Sequence, residues 1–412
     1  MSTTITLVIV VALSFVAGEF IQRIATRRGL LLSGAEYLIV GVLLGPLVSG
    51  IVTADSLILI EPAMWLLIAL VGFTMGLPLR HAISAGGPVR LIAATLFFAA
   101  SVGTIGAAGF AVLKLVYPEV SIADMALPAV VFGVCGTVVS ARFIDLAAHR
   151  FDARGPLTSF LTASAEWGSA LGVLVAGVVM DYTMAGEAVV VGDVALPGEL
   201  WTGSSLLIGV FAGVLFWLFH RDEDSDERTF LATVGVVVFA SGMAKAVGAS
   251  PLLVGLLAGV TVSLLSRQAD QLSETLGTLD RPAGIVLMLF AGTLWTLPSV
   301  YGWLGVSVYL GARLVTLWLY PRIFVRPVLK SAPAGWIGSG MRGQGVLPVA
   351  IALALVLVHP EFREVGSIIL VGVFVLEFGA GTALRRLLGD AGELNRVEED
   401  PDADALPAEV LP

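Results

Sequence analysis

Apolar segments of this chain are interrupted at two places, FGVCGTVVSARF (residues 132–143) and GSGMRGQGVLP (residues 338–348). Glycine weakens a helix and proline removes a backbone donor, so both stretches predict helices that break partway. A broken helix persists at membrane depth only where protein or a water-filled cavity satisfies its freed backbone groups. Glycine-rich helix packing would account for one such break, whereas two breaks in corresponding segments indicate a transport site.

The composition is that of a membrane protein. Hydrophobic residues make up 57% of the 412 residues and charged residues 13%, whereas soluble proteins have about 45–50% and about 25%. This excludes a water-soluble enzyme, and no loop is long enough for a soluble catalytic domain. The net charge of −9 argues against a nucleic-acid partner, which needs a basic face.

Thirteen apolar segments are predicted to span the lipid bilayer, since a spanning helix needs about 20 apolar residues. They are residues 5–21, 30–51, 57–77, 91–116, 126–146, 157–180, 201–219, 230–247, 250–265, 283–297, 300–320, 335–358 and 365–384. The predicted fold class is therefore an all-α polytopic membrane protein, with a transmembrane domain over residues 1–387.

The charges of the loops predict the orientation. Arginine and lysine concentrate on one side of the thirteen spans, whereas the other side carries acids such as Asp55, Asp124 and Asp181. The positive-inside rule then places the N-terminus outside and the C-terminus in the cytoplasm, in the cell (inner) membrane. Residues 187–197 are predicted to form a small outer hairpin, and residues 388–412 an acidic disordered tail.

The fourth to sixth spans and the eleventh to thirteenth spans run in opposite senses, and the middle span of each triplet is the broken one. This pattern predicts two inverted three-helix repeats, which secondary transporters build around a central site. The predicted residues of the broken fifth and twelfth helices are Cys135, Gly136, Gly343, Gln344 and Gly345.

Four charged residues stand out because they lie well inside predicted spans rather than near helix ends, at a depth where a charge costs about 2.5–3.5 kcal/mol or more. Glu166, Arg313, Arg342 and Glu377 all fall roughly 10–14 Å from the inner boundary, at about 1.5 Å per residue. Two acids and two bases at one depth predict a single buried polar cluster. Glu166 is then either a protonatable cation site or a permanent salt-bridge partner of Arg313. Arg342 either neutralises helix carbonyls or pairs with Glu377.

Four stretches resemble motifs of the monovalent cation:proton antiporter superfamily, which includes bacterial sodium/proton and potassium/proton exchangers. They are AEYLIVGVLLGP (residues 35–46), GASPLLVGLLAGVTVS (residues 248–263), MRGQGVLPVAIAL (residues 341–353) and VLEFGAGTALRRLL (residues 375–388). Each motif is weak alone, and their order and spacing along nearly the whole chain make the resemblance specific.

The resemblance implies a homodimer that works as an elevator, with a dimerisation scaffold and a mobile core. By position, the scaffold helices are residues 5–77 and 230–297, the core helices are residues 91–180 and 300–384, and residues 201–219 form a linker helix. The core would carry the two crossed, broken helices.

One departure from the family pattern concerns the sixth span, where an aspartate usually binds the ion. Here the segment reads TASAEWGSALGVLVAG (residues 162–177) and contains no aspartate. In one alignment Glu166 and Trp167 replace the family's acidic pair. In the other, Glu166 matches an upstream glutamate that pairs with an arginine, here Arg313, and Leu171 occupies the aspartate position.

The resemblance implies exchange of a monovalent cation, sodium or potassium, for protons, with Glu166 as the carrier. Thr137, Ser164, Ser169 and the carbonyls near Cys135 and Gly136 would supply neutral oxygen ligands. Arg313, Arg342 and Glu377 would compensate charge. No catalytic residue set, metal centre or cofactor is predicted, and the lipid bilayer, cations and protons are the expected partners.

Two alternatives keep the fold and change the function. The protein could carry another solute, such as an anion attracted by Arg342 and by helix N-termini. It could also be a non-transporting sensor or partner subunit.

Overall fold

The computed structural model describes residues 34–52, 54–184, 190–191, 194–195, 201–220, 226–266, 282–329 and 337–394. Its first seven helices are α1 (Ala35–Leu44), α2 (Ala54–Gly76), α3 (Leu79–Gly86), α4 (Pro88–Val116), α5 (Ala126–Thr137), α6 (Ala141–Arg150) and α7 (Pro156–Met184). They are followed by α8 (Trp201–His220), α9 (Asp226–Val247), α10 (Pro251–Leu265), α11 (Pro282–Thr293), α12 (Val300–Tyr320), α13 (Leu347–Val358), α14 (Arg363–Glu377) and α15 (Ala380–Asp390).

Shorter elements connect some of these helices. A π-helical turn, Pro321–Val325, extends α12, and 3-10 helices Ile337–Met341 and Pro360–Phe362 precede α13 and α14. Strand β1 (Val190–Val191) pairs antiparallel with β2 (Val194–Ala195), so the predicted small hairpin is present.

The helices confirm the predicted multi-pass membrane protein, which is helical apart from turns, loops and the small β1–β2 hairpin in the described residues. Within the described ranges, five helices are long and apolar enough to cross a bilayer, and the bent pair α14–α15 makes a sixth. Six more apolar helices have 10–17 residues. Every predicted span on described residues therefore falls on helix, while the predicted span at residues 5–21 lies outside them.

Glycine allows close helix contacts between α2 and α10. A methyl group added at Gly72 would lie 2.2 Å from the Leu252 carbonyl oxygen, and one added at Gly255 would lie 2.1 Å from that of Ala69. No larger residue fits at such separations, and small residues commonly mark tight helix packing in membranes. These two helices belong to the predicted scaffold.

The broken helices lie in the middle of the largest apolar core. Every residue of α13 from Leu347 to Val356 is buried, and α5 is buried from Val131 to Thr137. A helix that is apolar on all sides is stable only when other helices surround it. Helices α4, α7, α12 and α14 pack around this pair.

Two predicted boundaries need correction. The closing helix expected over residues 365–384 is bent by 47° between α14 and α15, where Gly379 has a φ of 79°. Residues 388–394, expected to belong to the disordered tail, are ordered, because α15 continues to Asp390 and Glu393 is buried against the start of α7. Residues 395–412 lie outside the described chain.

Candidate ion site at two crossed helix breaks

The first break separates α5 from α6. Helix α5 ends at Thr137, Val138 has the extended backbone of a helix exit, and α6 begins after Ser140. The Ser140 hydroxyl accepts a hydrogen bond from the Phe143 amide at 3.2 Å, which is the usual way a serine starts a helix. The interruption predicted within residues 132–143 is therefore present.

The second break lies between the 3-10 helix Ile337–Met341 and α13. Gly345 has a φ of 66°, a conformation that favours glycine, and Pro348 lies in the first turn of α13. The two breaks touch, since the Ser140 amide donates to the Gly343 carbonyl at 2.9 Å. The structure therefore brings the predicted broken-helix residues of both repeats together.

Arg313 of α12 satisfies carbonyl groups from both breaks. Its guanidinium is fully buried and donates to the main-chain oxygens of Gly136, Val138 at 3.1 Å, Met341 at 3.0 Å and Arg342 at 3.2 Å. The last carbonyls of a helix carry partial negative charge, so a cation stabilises them. Arg313 therefore compensates the charge of two helix ends simultaneously.

Glu377 of α14 occupies the opposite end of the second break. Its carboxylate is fully buried and accepts from the Gln344 amide at 3.0 Å and from the Gly345 amide at 2.8 Å. These amides precede α13, whose N-terminus favours a negative charge. Glu377 thus accepts hydrogen bonds from free amides of the second break, whereas Arg313 donates to free carbonyls of both breaks.

The Gln344 side chain connects the two breaks with α12. Its amide nitrogen donates to the Cys135 carbonyl at 2.5 Å and to the Tyr309 hydroxyl at 3.0 Å. The Cys135 thiol donates to the Pro348 carbonyl at 3.5 Å. Tyr309 is a site residue that the sequence analysis missed, because a single tyrosine in an apolar helix carries no signal of its partner.

Helix α7 passes beside the first break and carries the predicted ion ligands. The Ser169 hydroxyl donates to the Val139 carbonyl at 3.2 Å, and Ser169 is 2% exposed. A methyl group added at Gly172 would lie 2.8 Å from the Val138 side chain. Of the two other predicted neutral ligands, Thr137 is buried and donates to the Gly133 carbonyl at 2.8 Å, and Ser164 is nearly buried.

Glu166 precedes Ser169 by three residues on α7, which is about 4.5 Å along the helix axis. Its side chain is partly exposed, as is that of Arg342 at the second break. Leu171, the position that the second alignment assigns to the missing aspartate, is a partly buried apolar residue packed against the core. In both alignments Glu166 is the carboxylate that lies three residues before Ser169, and in the second alignment the aspartate position itself is apolar.

Two contacts near Glu166 were also missed. The Trp167 indole donates to the Thr95 hydroxyl at 2.8 Å, which joins α7 to α4. The Thr162 hydroxyl donates to the Asp145 carboxylate at 2.9 Å, which joins α7 to α6. Among the described residues, no group of three or more His, Cys, Asp or Glu side chains is placed to hold a metal ion.

No protein-family model and no curated protein sequence matches the chain. Its structure is similar to that of the sodium proton antiporter MjNhaP1 from Methanocaldococcus jannaschii at pH 8, with a TM-score of 0.65. The two sequences are 16% identical, and the similarity covers 94% of this chain and 100% of that chain. The chain shares the antiporter fold. An electron-microscopy structure of MjNhaP1 gives a TM-score of 0.58 at 16% identity, covering 92% and 97% of the two chains.

The fold expected from the resemblance to the monovalent cation:proton antiporter superfamily is therefore confirmed. At this level of identity the likeness establishes the fold alone. The solute and the residues that bind it depend on the chemistry of the site.

Proposed function

We propose that the protein is a secondary active transporter that exchanges a monovalent cation, sodium or potassium, for protons. The observation that carries the proposal is the contact between two helix breaks within an antiporter fold, with Ser169 hydrogen-bonded to the first break and Glu166 three residues before it on the same helix. Broken helices at a repeat interface are where transporters of this kind bind ions. MjNhaP1, whose fold is similar, is described as a sodium proton antiporter.

The different surroundings of the charged residues support Glu166 as the residue that carries the ion. Arg313 and Glu377 are fully buried and already hydrogen-bonded to the backbone of the breaks. Neutralising either residue would leave main-chain groups at the helix ends without their charged partner in a low-dielectric core, which costs free energy. Glu166 is only partly buried and lies on the continuous helix α7 rather than at a break, so it is the charged residue proposed to exchange a proton for a cation.

The neutral ligands would come from α5 and α7. Ser169 and Thr137 offer hydroxyl oxygens, and the Val139 carbonyl already contacts Ser169. Hydroxyl and carbonyl oxygens suit a hard monovalent cation once it has lost part of its water shell. Because one carboxylate serves both ions, proton binding and cation binding exclude each other, and net exchange follows.

Alternating access is proposed to follow the domain division that the resemblance implies. The core, residues 91–180 and 300–384, would move against a scaffold made of residues 5–77 and 230–297, with residues 201–219 as the linker. We further propose a homodimer in the cell membrane, with the arginine-rich loops facing the cytoplasm.

The test is proton flux in sealed proteoliposomes that contain an internal pH dye. Sodium, potassium and lithium are pulsed separately onto the wild type and onto Glu166→Gln. The matched control is Glu361→Gln, because Glu361 is an exposed carboxylate that pairs with His359 at the short 3-10 helix before α14. We expect cation-driven proton movement in the wild type and the control, and none in Glu166→Gln. Unchanged exchange in Glu166→Gln would refute the proposed carrier.

The missing aspartate is a reason to test the two alternative functions, an anion carrier and a non-transporting subunit, in the same vesicles. Residues 162–177 contain only the one carboxylate, and Arg342 lies at the second break. A folded wild type that responds to no cation and shows anion-dependent flux would indicate an anion carrier. A stable protein with no flux of either kind would indicate a sensor or partner subunit.

A further inference from the structure

Another buried carboxylate, Asp181, lies near the C-terminal end of α7. Asp181 is fully buried and accepts two short hydrogen bonds, from the Ser205 hydroxyl at 2.6 Å and from the Ser250 amide at 2.7 Å. Ser205 belongs to α8, and Ser250 is the residue at which α10 begins. One side chain therefore ties three helices together.

Asp181 does not replace the missing aspartate at the breaks. It follows Ser169 by twelve residues on one continuous helix, which is about 18 Å along the axis. A carboxylate at that distance cannot share an ion with Ser169. Another role has to account for a buried acid in this position.

The neighbourhood of Asp181 is a tight contact between α7 and α10. Gly177 lies one helical turn before Asp181 on the same face of α7. A methyl group added at Gly177 would lie 2.6 Å from the Leu253 side chain, and Leu253 lies one turn after Ser250. The steric contact and the hydrogen bond to Ser250 therefore hold together the same two segments, the end of α7 and the start of α10.

The three helices fall in different parts of the proposed transporter. Helix α7 belongs to the core, α8 is the linker and α10 belongs to the scaffold. We propose that Asp181 is a latch that holds the core against the linker and scaffold at the predicted outer side, and that it must open in each transport cycle. The proposal rests on the function proposed above, because only a moving core would need such a latch.

The hydrogen bonds of Asp181 are suited to a contact that opens and closes rather than to a permanent one. The carboxylate stabilises the α10 N-terminus, where the free amides favour negative charge. Moving α7 relative to both α8 and α10 would separate Asp181 from its two donors and expose all three groups to water. The carboxylate would then be hydrated, which lowers the cost of opening compared with leaving it unpaired inside the protein.

The test measures the gap between the outer ends of core and scaffold by pulsed electron resonance. Spin labels are attached at Tyr182→Cys and Met243→Cys, two exposed positions on α7 and α9, in a Cys135→Ser background. The latch is weakened by Asp181→Asn or by the milder Ser205→Ala. The matched control is Leu206→Ala, an exposed neighbour of Ser205 on α8.

We expect two distance populations between the labels. In Asp181→Asn the ratio of the longer to the shorter distance should rise about tenfold, which corresponds to the loss of a charge-assisted hydrogen bond. Ser205→Ala should shift the ratio in the same direction and Leu206→Ala should not. An unchanged distribution in both latch variants would overturn the proposal. Proton flux is measured on the same latch variants without labels, with Tyr182→Phe as control. Distances that shift in the latch variants, while the wild type shows no cation-driven flux, would support the latch and refute the exchange function.

Discussion

The main chains of Ser140 and Gly343 are joined by a hydrogen bond of 2.9 Å, in which the Ser140 amide donates to the Gly343 carbonyl. These residues lie 203 positions apart in sequence, one in each helix break. The bond means that the two breaks form one unit, with Arg313 on its carbonyls and Glu377 on its amides. A change in either break is therefore expected to disturb the other.

Replacing Arg313 by alanine should destabilise the protein strongly. The substitution leaves the carbonyls of Gly136, Val138, Met341 and Arg342 without their common donor. Each buried group left unsatisfied costs about 1–3 kcal/mol. We expect a large fall in the unfolding temperature in detergent, with Arg313→Lys in between. Arg154→Ala, which removes a highly exposed arginine, should leave the unfolding temperature unchanged; an equal fall in both variants would contradict the capping role.

Glu377→Gln should lower stability without removing proton coupling. Glutamine keeps an oxygen that can accept from the Gln344 and Gly345 amides, whereas the negative charge that favours the α13 N-terminus is lost. We expect a lower unfolding temperature and slower exchange, with the pH dependence of cation binding retained. Loss of that pH dependence in Glu377→Gln would show that Glu377, rather than Glu166, exchanges the proton.

Gly345→Ala should damage the site through backbone strain and steric overlap. The φ of 66° disfavours any side chain, and an added methyl group would lie 2.7 Å from the Ser140 hydroxyl. We expect reduced exchange and a destabilisation of about 1 kcal/mol or more. Gly235→Ala is the matched control, because a methyl group there meets no atom within 4 Å. Equal behaviour of the two variants would argue against the tight crossing.

Glu393→Ala should loosen the start of α7. The carboxylate accepts from the amides of Leu157 at 2.7 Å and Thr158 at 2.8 Å, and from the Thr158 hydroxyl at 2.7 Å. Loss of a helix cap typically costs about 0.5–2 kcal/mol. We expect faster amide hydrogen exchange at the first turn of α7, with the end of α7 at Asp181 unaffected. Unchanged exchange at Leu157 and Thr158 would contradict this role of Glu393.

Much of the fold could be predicted from the sequence because lipid imposes simple rules. Long apolar segments predict spans, and glycine with Pro348 predicts breaks, so the predicted spans on described residues contain helices and both interruptions are present, whereas the short helix α3 was not predicted. The bend at Gly379 was missed because the apolar pattern continues across it.

The site was predictable as a set of residues and not as a set of contacts. Arg313, Glu377 and Gln344 stand out as polar groups in apolar segments, whereas their partners are main-chain atoms, which no residue type reveals. Asp181 was expected in a loop, because an acid at the end of an apolar segment usually marks its boundary. Its burial depends on Ser205 and Ser250, which are distant in sequence.

The central claim is that a proton and a cation compete for Glu166. The most direct test is the apparent cation affinity of the purified protein in proteoliposomes, measured at a series of pH values. If one carboxylate binds both ions, the half-saturating cation concentration rises toward about tenfold per pH unit on the acid side, by mass action. We predict this dependence for the wild type and its loss in Glu166→Gln. A pH-independent affinity in the wild type, or competition that persists in Glu166→Gln, would contradict the account.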